Sequence, residues 1–314
     1  MTIAWVIGRS GLLGSALSRA LVRDRSTLFE YGGRFAWHEL NVLKTQIEEA
    51  TKAFAQVVAG ADRWEIYWAA GVGTMMSSEA QFVPETRALG WLLDAIERSR
   101  TLLTGRGVFA LASSAGAIYA GSREALITEA VPVAPTSAYA HAKLEHEAMV
   151  DRFAMECGAA ALIARVSTLY GVGQSKAKAQ GLVTHISHCI VRNRPIRIFV
   201  PLDTIRDYIA ADDAAAAMID ESRLASEFKR TDIRIIASEQ PATIGEILSI
   251  FKRIARRPPR IVTSATSSTG IYTRRIQFRS IAPVRVPSRP RTTLPVGINQ
   301  VLAAERAFFV TALR

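Results

Sequence analysis

The sequence has few cysteines, and none of them shows a spacing by which proteins commonly bind metal. Cys157 and Cys189 are the two cysteines among 314 residues, and neither belongs to a CxxC pair or a Cys/His cluster. A disulfide framework and a structural zinc site are therefore not indicated. We expect no metal and a reducing compartment.

Long apolar runs are absent as well. No uninterrupted apolar stretch approaches the roughly 18 residues of a membrane helix. The sequence starts with an apolar TIAWVIG rather than a charged leader and a cleavage site. These features predict a cytoplasmic protein with no membrane partner. Hydrophobic residues still make up 49% of the chain, which suffices for one large domain or two smaller ones.

Acidic residues are scarce in the last fifth of the chain. From Lys252 to Arg314 there are 13 lysines and arginines but a single acid, Glu305, so the net charge of +11 is concentrated there. Nucleic acid, an anionic membrane and a phosphorylated small molecule all suit such a segment. Apolar residues and prolines are interleaved with the charges in RRIQFRSIAPVRVPSRPR. This pattern indicates a folded surface, and we expect no nucleic-acid partner.

The first 170 residues alternate between short apolar runs and amphipathic stretches. Buried strands are predicted at IAWVI, WEIYWAAG, GVFALASS and AALIARVS, and helices at TQIEEATKAFAQVVA, ETRALGWLLDAIERSRTLL and SAYAHAKLEHEAMVDRFAMEC. The alternation predicts an α/β fold: a Rossmann-type, doubly wound parallel sheet covered on both faces. It loosens after residue 170. We therefore predict a dinucleotide-binding domain over 1–170, rejoined by elements from about 205–240, and a smaller, mixed substrate domain over 171–314.

A glycine-rich turn, GRSGLLG, lies between the first predicted strand and the first predicted helix. Gly8, Gly11 and Gly14 let the backbone turn sharply and approach a phosphate closely. The amides and partial positive charge of the following helix N-terminus suit a pyrophosphate. Because the turn directly follows an apolar strand and opens a helix, it predicts a dinucleotide site.

Side chains of two kinds compete for the adenosine ribose of that dinucleotide. Glu30 ends the second predicted strand, 22 residues after Gly8, where an acid commonly holds the ribose of NAD. Arg9 in the glycine turn and Arg34 just past Glu30 would instead suit the 2′-phosphate of NADP. The two arginines lead us to favour NADP, and NAD stays open.

A tyrosine and a lysine stand four residues apart in YAHAK, at the start of a predicted helix. One helical turn puts Tyr139 and Lys143 on the same face, so a hydroxyl and a positive charge share a small volume. A nearby cation favours the phenolate form of a tyrosine, which can then exchange a proton with a substrate hydroxyl. The pair is either a proton-transfer device or part of a solvated helix face.

In this order the motifs resemble the extended short-chain dehydrogenase/reductase family, which comprises nucleotide-sugar epimerases, dehydratases and reductases. The resemblance covers nearly the whole chain and rests on GRSGLLG, HELNV, WAAGVG, ASSAGAIYAG, ITEAVPVAPTSAYAHAKLEHEAMV, ARVSTLYGVGQ, IRDYIAADDAAAAM and TTLPVGI. It implies hydride transfer with NADP or NAD on a nucleotide sugar, as a 4-epimerase or a 4-keto-sugar reductase. A non-catalytic dinucleotide-binding regulator or scaffold is the alternative, and a homodimer is left open.

The resemblance also implies roles for individual residues. Tyr139 would be the acid/base, and Lys143 its partner and a ligand of the nicotinamide ribose. Ser114, favoured over Ser113 by family spacing, would hydrogen-bond the reacting substrate oxygen, and Arg206 would meet the nucleotide portion of the substrate. The implied cofactor contacts are Gly8, Arg9, Gly11, Leu12, Leu13, Gly14, Glu30, Arg34, Asn41, Ala69, Ala70, Gly71, Tyr139 and Lys143.

Several positions depart from the family pattern. Asn41 stands where the family usually has Asp, and Glu85 where its long helix often has Asn. SSAG lacks the Asp–Glu pair of the dehydratases, so we do not expect a dehydratase. The histidines and the cysteine of LVTHISHCIV do not match the spacing of Cys/His epimerases, and we expect that run to be a helix lining the substrate domain. Arg274 and Arg275 are either further substrate contacts or surface charges.

Overall fold

The continuous apolar runs form strands, and the amphipathic stretches between them form helices. The computed structural model describes residues 1–71, 73–75, 77–173, 181–255, 259–263, 275–281 and 291–311. The strands in these ranges are β1 (Thr2–Ile7), β2 (Thr27–Phe29), β3 (Arg63–Trp68), β4 (Gly107–Ser114), β5 (Ala160–Val166), β6 (Thr168–Tyr170), β7 (Ile196–Ile198), β8 (Ile205–Ala210), β9 (Thr231–Ile236), β10 (Pro241–Thr243) and β11 (Ile261–Thr263). The helices are α1 (Leu12–Arg23), α2 (Leu40–Val58), α3 (Val83–Glu97), α4 (Arg100–Thr104), α5 (Ala115–Ile118), α6 (Ala138–Cys157), α7 (Leu182–Val191), α8 (Ala211–Phe228), α9 (Ile244–Ala255) and α10 (Leu294–Thr311).

Six parallel strands form the main sheet in the order β2-β1-β3-β4-β5-β9. The direction of the strand order reverses between β1 and β3, and doubly wound sheets bind ligands at the carboxyl ends of the strands at such a point. Ile7 pairs with Trp68, so β1 and β3 end level with one another. The glycine turn after β1 and the segment Ala69–Gly71 after β3 therefore meet at the same edge.

Helices cover both faces of this sheet, as the buried strands require. Because side chains alternate along a strand, Trp5 packs on the face covered by α2, α3 and α6, and its neighbour Val6 on the face covered by α1 and α8. Both side chains are at most 6% exposed. The predicted α/β fold with a doubly wound parallel sheet is thus confirmed.

The second half of the chain contributes to the main sheet and also builds a separate core. β9 pairs with β5, and α8 packs on α1, so both elements belong to the layers of the first 170 residues. The short sheets β10-β8-β6 and β11-β7 adjoin a core formed by α7, α9 and α10, with Phe251 and Ile298 fully buried. The division into domains 1–170 and 171–314 stays a prediction.

Two predicted helices have different bounds from those that periodicity indicates. α2 begins at Leu40, earlier than TQIEEATKAFAQVVA, and the stretch read as one helix over residues 85–103 is divided into α3 and α4. The division arises at Ser99, which has extended backbone and accepts a hydrogen bond from the amide of Leu102, so it caps α4. None of the described helices is long and apolar enough to cross a bilayer.

The basic C-terminal stretch is described in part. Ile276 and Phe278 are both 4% exposed, and α10 buries Ile298, Val301 and Leu302. These apolar side chains agree with the predicted folded surface. Residues 264–274 and 282–290, which hold several of the arginines, lie outside the described residues.

Candidate active site

The glycine turn packs so tightly that larger residues would disturb it. Gly8 has φ +90°, and a Cβ atom there would lie 2.5 Å from the amide nitrogen of Ala70. A Cβ atom on Gly14 would lie 2.2 Å from the carbonyl oxygen of Gly8. The Gly11 amide donates to the Gly8 carbonyl over 2.9 Å, which closes the turn. The glycines therefore fix the start of α1 against the end of β3.

The N-terminus of α1 has the chemistry of an anion site. α1, which is described over its whole length, begins at Leu12 after Gly11 with no side-chain cap and no acid in its first turn. Its first amides therefore have no intrahelical acceptor and no competing carboxylate. Leu13 is buried and anchors the helix, while Leu12 is half-buried. These donors fit the pyrophosphate of a dinucleotide.

The predicted adenosine-side residues lie at the end of β2 and in the glycine turn. Arg9 forms an ion pair with Glu30, and both side chains are more than half exposed. Arg34 is exposed, and its carbonyl accepts a hydrogen bond from Gln46 Nε2 over 3.1 Å. Asn41 is exposed in the first turn of α2. Glu30 and Arg9 thus already bind each other, so each must exchange this partner in order to bind a ribose.

An aromatic row beside Glu30 was missed by the sequence analysis. Tyr31 and Phe35 are stacked with ring centres 5.1 Å apart, and Phe35 contacts Trp37 edge-on at 6.1 Å. Trp37 in turn contacts Trp68 at the end of β3. The signal was present as aromatic residues at 31, 35 and 37 after a short strand. The row covers the sheet edge next to the predicted adenosine site.

Tyr139 and Lys143 lie on the first turns of α6, as predicted. Ser137 caps this helix by accepting a hydrogen bond from the amide of Ala140 over 3.2 Å. The Lys143 ammonium nitrogen is 5.8 Å from the centre of the Tyr139 ring. Tyr139 is half-buried and packs against Phe82. The structure therefore brings the phenol and the ammonium onto one helix face.

Ser114 and Ser113 at the end of β4 have different surroundings. Ser113 is buried and donates a hydrogen bond to the Glu147 carboxylate. Arg165 binds the same carboxylate, with 2.6 Å between Nη2 and Oε2, and donates to the Tyr119 hydroxyl over 2.6 Å. Ser114, where β4 ends, is half-buried and makes no capping hydrogen bond to α5, which is described in full. Ser113 is thus engaged in the core, and the assignment of Ser114 to the substrate oxygen stays a prediction.

A buried carboxylate lies behind Lys143. Glu85 Oε1 is 2.8 Å from the Lys143 nitrogen, and both side chains are at most 6% exposed. Burial by itself lowers the pKa of Lys143, but the charge of Glu85 opposes it, and the net result is a raised pKa. His146 lies 3.6 Å from the same oxygen. Burial and the charge of Lys143 lower the pKa of His146 to about 3, so this histidine is neutral.

The predicted substrate arginine lies on β8. The half-buried Arg206 guanidinium donates to the Ile205 carbonyl over 2.7 Å. Ile205 forms a β-bridge with Arg275, which places this exposed arginine beside the Arg206 strand. Arg274 lies outside the described residues. A distant part of the chain thus brings Arg275 next to Ile205, the residue that precedes Arg206 on β8.

The run LVTHISHCIV is a helix, α7, as predicted. Its Cys189 is buried, and burial raises the pKa of this thiol. His188 Nδ1 lies 3.2 Å from the Glu305 carboxylate on α10, which also binds Arg192. These contacts join α7 to α10, and that α7 lines a substrate domain stays a prediction.

A doubly wound parallel sheet with a glycine turn at its switch point defines a Rossmann-type dinucleotide-binding protein. The model of the NAD dependent epimerase/dehydratase family matches residues 4–223, and the chain belongs to this family.

Solved structures with the same fold cover essentially the whole chain. The UDP-glucose 4-epimerase of Thermus thermophilus, in complex with NAD, is 18% identical at a TM-score of 0.78, covering 98% of this chain and 99% of that one. The UDP-glucose 4-epimerase of Thermotoga maritima, with UDP-glucose, is 19% identical at a TM-score of 0.74, covering 100% of both chains. RMD from Pseudomonas aeruginosa, with NADPH, is 18% identical at a TM-score of 0.75, covering 98% of this chain and 100% of that one.

Proposed function

We propose that this protein is an NAD(P)-dependent enzyme that transfers a hydride at carbon 4 of a nucleotide sugar, as a 4-epimerase or a 4-keto-sugar reductase. The observation that carries the proposal is the placement of Tyr139 and Lys143 on one face of α6, with Ser114 at the end of β4. Family membership and the nucleotide sugars and nicotinamide dinucleotides bound to structural relatives support it.

Tyr139, Ser114 and Lys143 have different roles in proton transfer and in orienting the ligands. A nicotinamide dinucleotide would, when bound, accept a hydride from the sugar carbon or donate one to it. Tyr139 takes the proton of the sugar hydroxyl through its phenolate oxygen, or returns it in the opposite direction. Ser114 donates a hydrogen bond to the same sugar oxygen and stabilises the charge that develops there. Lys143, whose ammonium nitrogen lies 5.8 Å from the centre of the Tyr139 ring, donates to the nicotinamide ribose.

The proposed substrate site also needs a partner for the diphosphate. Arg206 on β8 supplies positive charge outside the glycine turn. A guanidinium binds phosphate oxygens with two parallel hydrogen bonds, so it orients as well as attracts the diphosphate. Arg206→Ala should therefore raise KM for the nucleotide sugar more than it lowers kcat, because the diphosphate is distant from the reacting carbon.

The finer proposal is a preference for NADP over NAD. Arg9 and the exposed Arg34 flank Glu30 and can bind a 2′-phosphate, which would replace the Glu30 carboxylate as the partner of Arg9. Arg9→Ala combined with Arg34→Ala should weaken NADPH binding more than NADH binding in a fluorescence titration. Equal losses for the two cofactors would show that these arginines do not read a 2′-phosphate.

One experiment tests the activity and separates the two reactions. Purified protein is incubated with UDP-sugars, 4-keto sugar nucleotides, NAD and NADPH, and the configuration at carbon 4 is followed by NMR. Inversion with catalytic NAD identifies an epimerase, and stoichiometric NADPH consumption identifies a reductase. Tight binding of a dinucleotide with no turnover of any nucleotide sugar would favour the regulatory or scaffold alternative.

A further inference from the structure

The buried pair of Glu85 and Lys143 joins α3 to α6 one helical turn beyond Tyr139. Glu85 Oε1 and Lys143 Nζ are 2.8 Å apart, and both residues are 4% exposed. Water is nearly excluded from both charges, so neither can be stabilised by solvation alone. The charge on the lysine therefore depends on the carboxylate.

The other charged groups around this pair are already neutral or engaged. On α6, His146 is held neutral by burial and by Lys143, and its Nε2 lies 2.8 Å from the Thr86 hydroxyl. Glu147, also on α6, binds Arg165 of β5 through two hydrogen-bonded nitrogens. In the described part of the chain, Glu85 is consequently the carboxylate that hydrogen-bonds Lys143.

The Glu85 carboxylate also lies beside Gly71, one of the predicted cofactor contacts. A Cβ atom on Gly71, just after β3, would lie 3.4 Å from both carboxylate oxygens. The carboxylate is thus held between the Gly71 backbone and Lys143. It can orient the ammonium group as well as compensate its charge.

We propose that Glu85 is a positioning residue that keeps Lys143 protonated and holds its ammonium towards the nicotinamide ribose. This inference rests on the proposed function, because the ribose is the ligand assigned to Lys143. Burial disfavours the charged form of a lysine, and fully buried lysines without a counter-ion lose their proton near neutral pH. Among the effects that raise the pKa of Lys143, the charge of Glu85 is the largest.

Replacing Glu85 by glutamine keeps its shape and removes its charge. Lys143 is then a buried ammonium with a neutral partner, and it should deprotonate between about pH 6 and pH 9. A neutral amine binds the ribose hydroxyls less well than an ammonium. In Glu85→Gln the affinity for nicotinamide dinucleotide should fall about tenfold over this range, relative to wild type.

The experiment measures NADH and NADPH dissociation constants by tryptophan fluorescence from pH 6 to pH 9. Glu85→Asp, which retains the charge, should recover the wild-type pH dependence. Lys143→Met should bind NADH and NADPH weakly, and its dissociation constants should show no pH dependence beyond that of wild type. Glu65→Gln is the matched control: it removes a fully buried carboxylate bonded to Arg223 on the opposite face of the sheet, and should leave the profile unchanged. A wild-type profile in Glu85→Gln overturns the proposal.

Stability provides a readout that does not depend on cofactor. Glu85→Gln should lower the melting temperature at pH 7, and adding Lys143→Met should restore part of the loss, because the buried ammonium is then removed. A double variant no more stable than Glu85→Gln would contradict the pairing. If Glu85→Gln does not fold, Glu85→Asn replaces it in both the cofactor-binding and the melting-temperature measurements. Absence of dinucleotide binding in wild type would refute the proposed function, and the melting data would still test the pair.

Discussion

Breaking the buried Arg165–Glu147 pair by removing one partner should be one of the most destabilising single substitutions near the site. The pair lies behind Ser114 and Lys143 and joins β5 to α6, with side chains at most 9% exposed. Ser113 of β4 and Tyr119 after α5 are bonded to it as well. Replacing Arg165 with Met retains an apolar side chain of similar length but leaves the Glu147 carboxylate buried and unpaired.

The expected loss in the free energy of unfolding of Arg165→Met follows from the desolvation of the Glu147 carboxylate. Removing one partner of a buried ion pair costs about 3–5 kcal/mol. Arg165 also donates a hydrogen bond to Tyr119, so we expect the upper part of this range, about 4–5 kcal/mol. At about 2–4 °C per kcal/mol for domains of this order of size, the melting temperature should fall by about 10 °C.

The free energy of unfolding is measured in urea for three proteins. They are wild type, Arg165→Met and the double variant Arg165→Met/Glu147→Leu. The double variant removes both charges, so it should recover at least half of the loss even though Ser113 loses its acceptor. A loss below about 1 kcal/mol in Arg165→Met would show that the pair is solvated. A double variant as unstable as Arg165→Met would show that lost packing, and not the unpaired carboxylate, is responsible.

Three further predictions concern other contacts. Burial would raise the pKa of Glu129, but hydrogen bonds from backbone amides and a serine hydroxyl outweigh it and lower the pKa. Glu129→Gln should therefore lower the free energy of unfolding by about 2 kcal/mol at pH 7. In denaturation curves the difference from wild type should begin to narrow as pH falls below the ordinary glutamate pKa of about 4.3, and it should shrink further as pH passes the lowered pKa of the folded state. A Cβ atom on Gly297 would lie 2.2 Å from the Tyr170 hydroxyl oxygen, so Gly297→Ala should destabilise the protein by about 1–3 kcal/mol in urea unfolding. Gly14→Ala, whose Cβ would overlap the Gly8 carbonyl, should weaken dinucleotide binding about tenfold or more by fluorescence titration, and wild-type affinity would contradict the tight turn.

The main sheet could be predicted because its signals are local. Continuous apolar runs, such as the one from Ile3 to Ile7, have the composition of strands buried on both faces, and each is followed by an amphipathic stretch. Helix bounds were less predictable. The separation of α3 from α4 depends on the cap formed by Ser99. The earlier start of α2 at Leu40 adds Leu43, which is buried in the core of the main sheet.

The candidate site was predictable where one motif supplies both members of a contact. Tyr139 and Lys143 are one turn apart, so helix geometry alone brings them together. Glu85 meets Lys143 across 58 positions, and Arg165 meets Glu147 between different elements. No periodicity in the sequence connects such residues, because their contact is made by the packing of α3, α6 and β5.

The choice between adjacent residues also needed the tertiary structure. Family spacing favoured Ser114 over Ser113, and the structure adds a physical reason, since Ser113 is already bonded to Glu147. In the same way, Arg275 lies beside Ile205 of β8 only because a distant segment forms a β-bridge there.

Turnover by Tyr139→Phe tests the central claim most directly. The variant lacks only the phenolic oxygen, so it should fold, retain its contact with Phe82 and bind nicotinamide dinucleotide as wild type does. Conversion of the nucleotide sugar identified by the NMR assay should fall by about two orders of magnitude or more, which is the usual contribution of general acid–base catalysis. Turnover within a few-fold of wild type, at unchanged cofactor affinity, would contradict the assignment of Tyr139 as the acid/base.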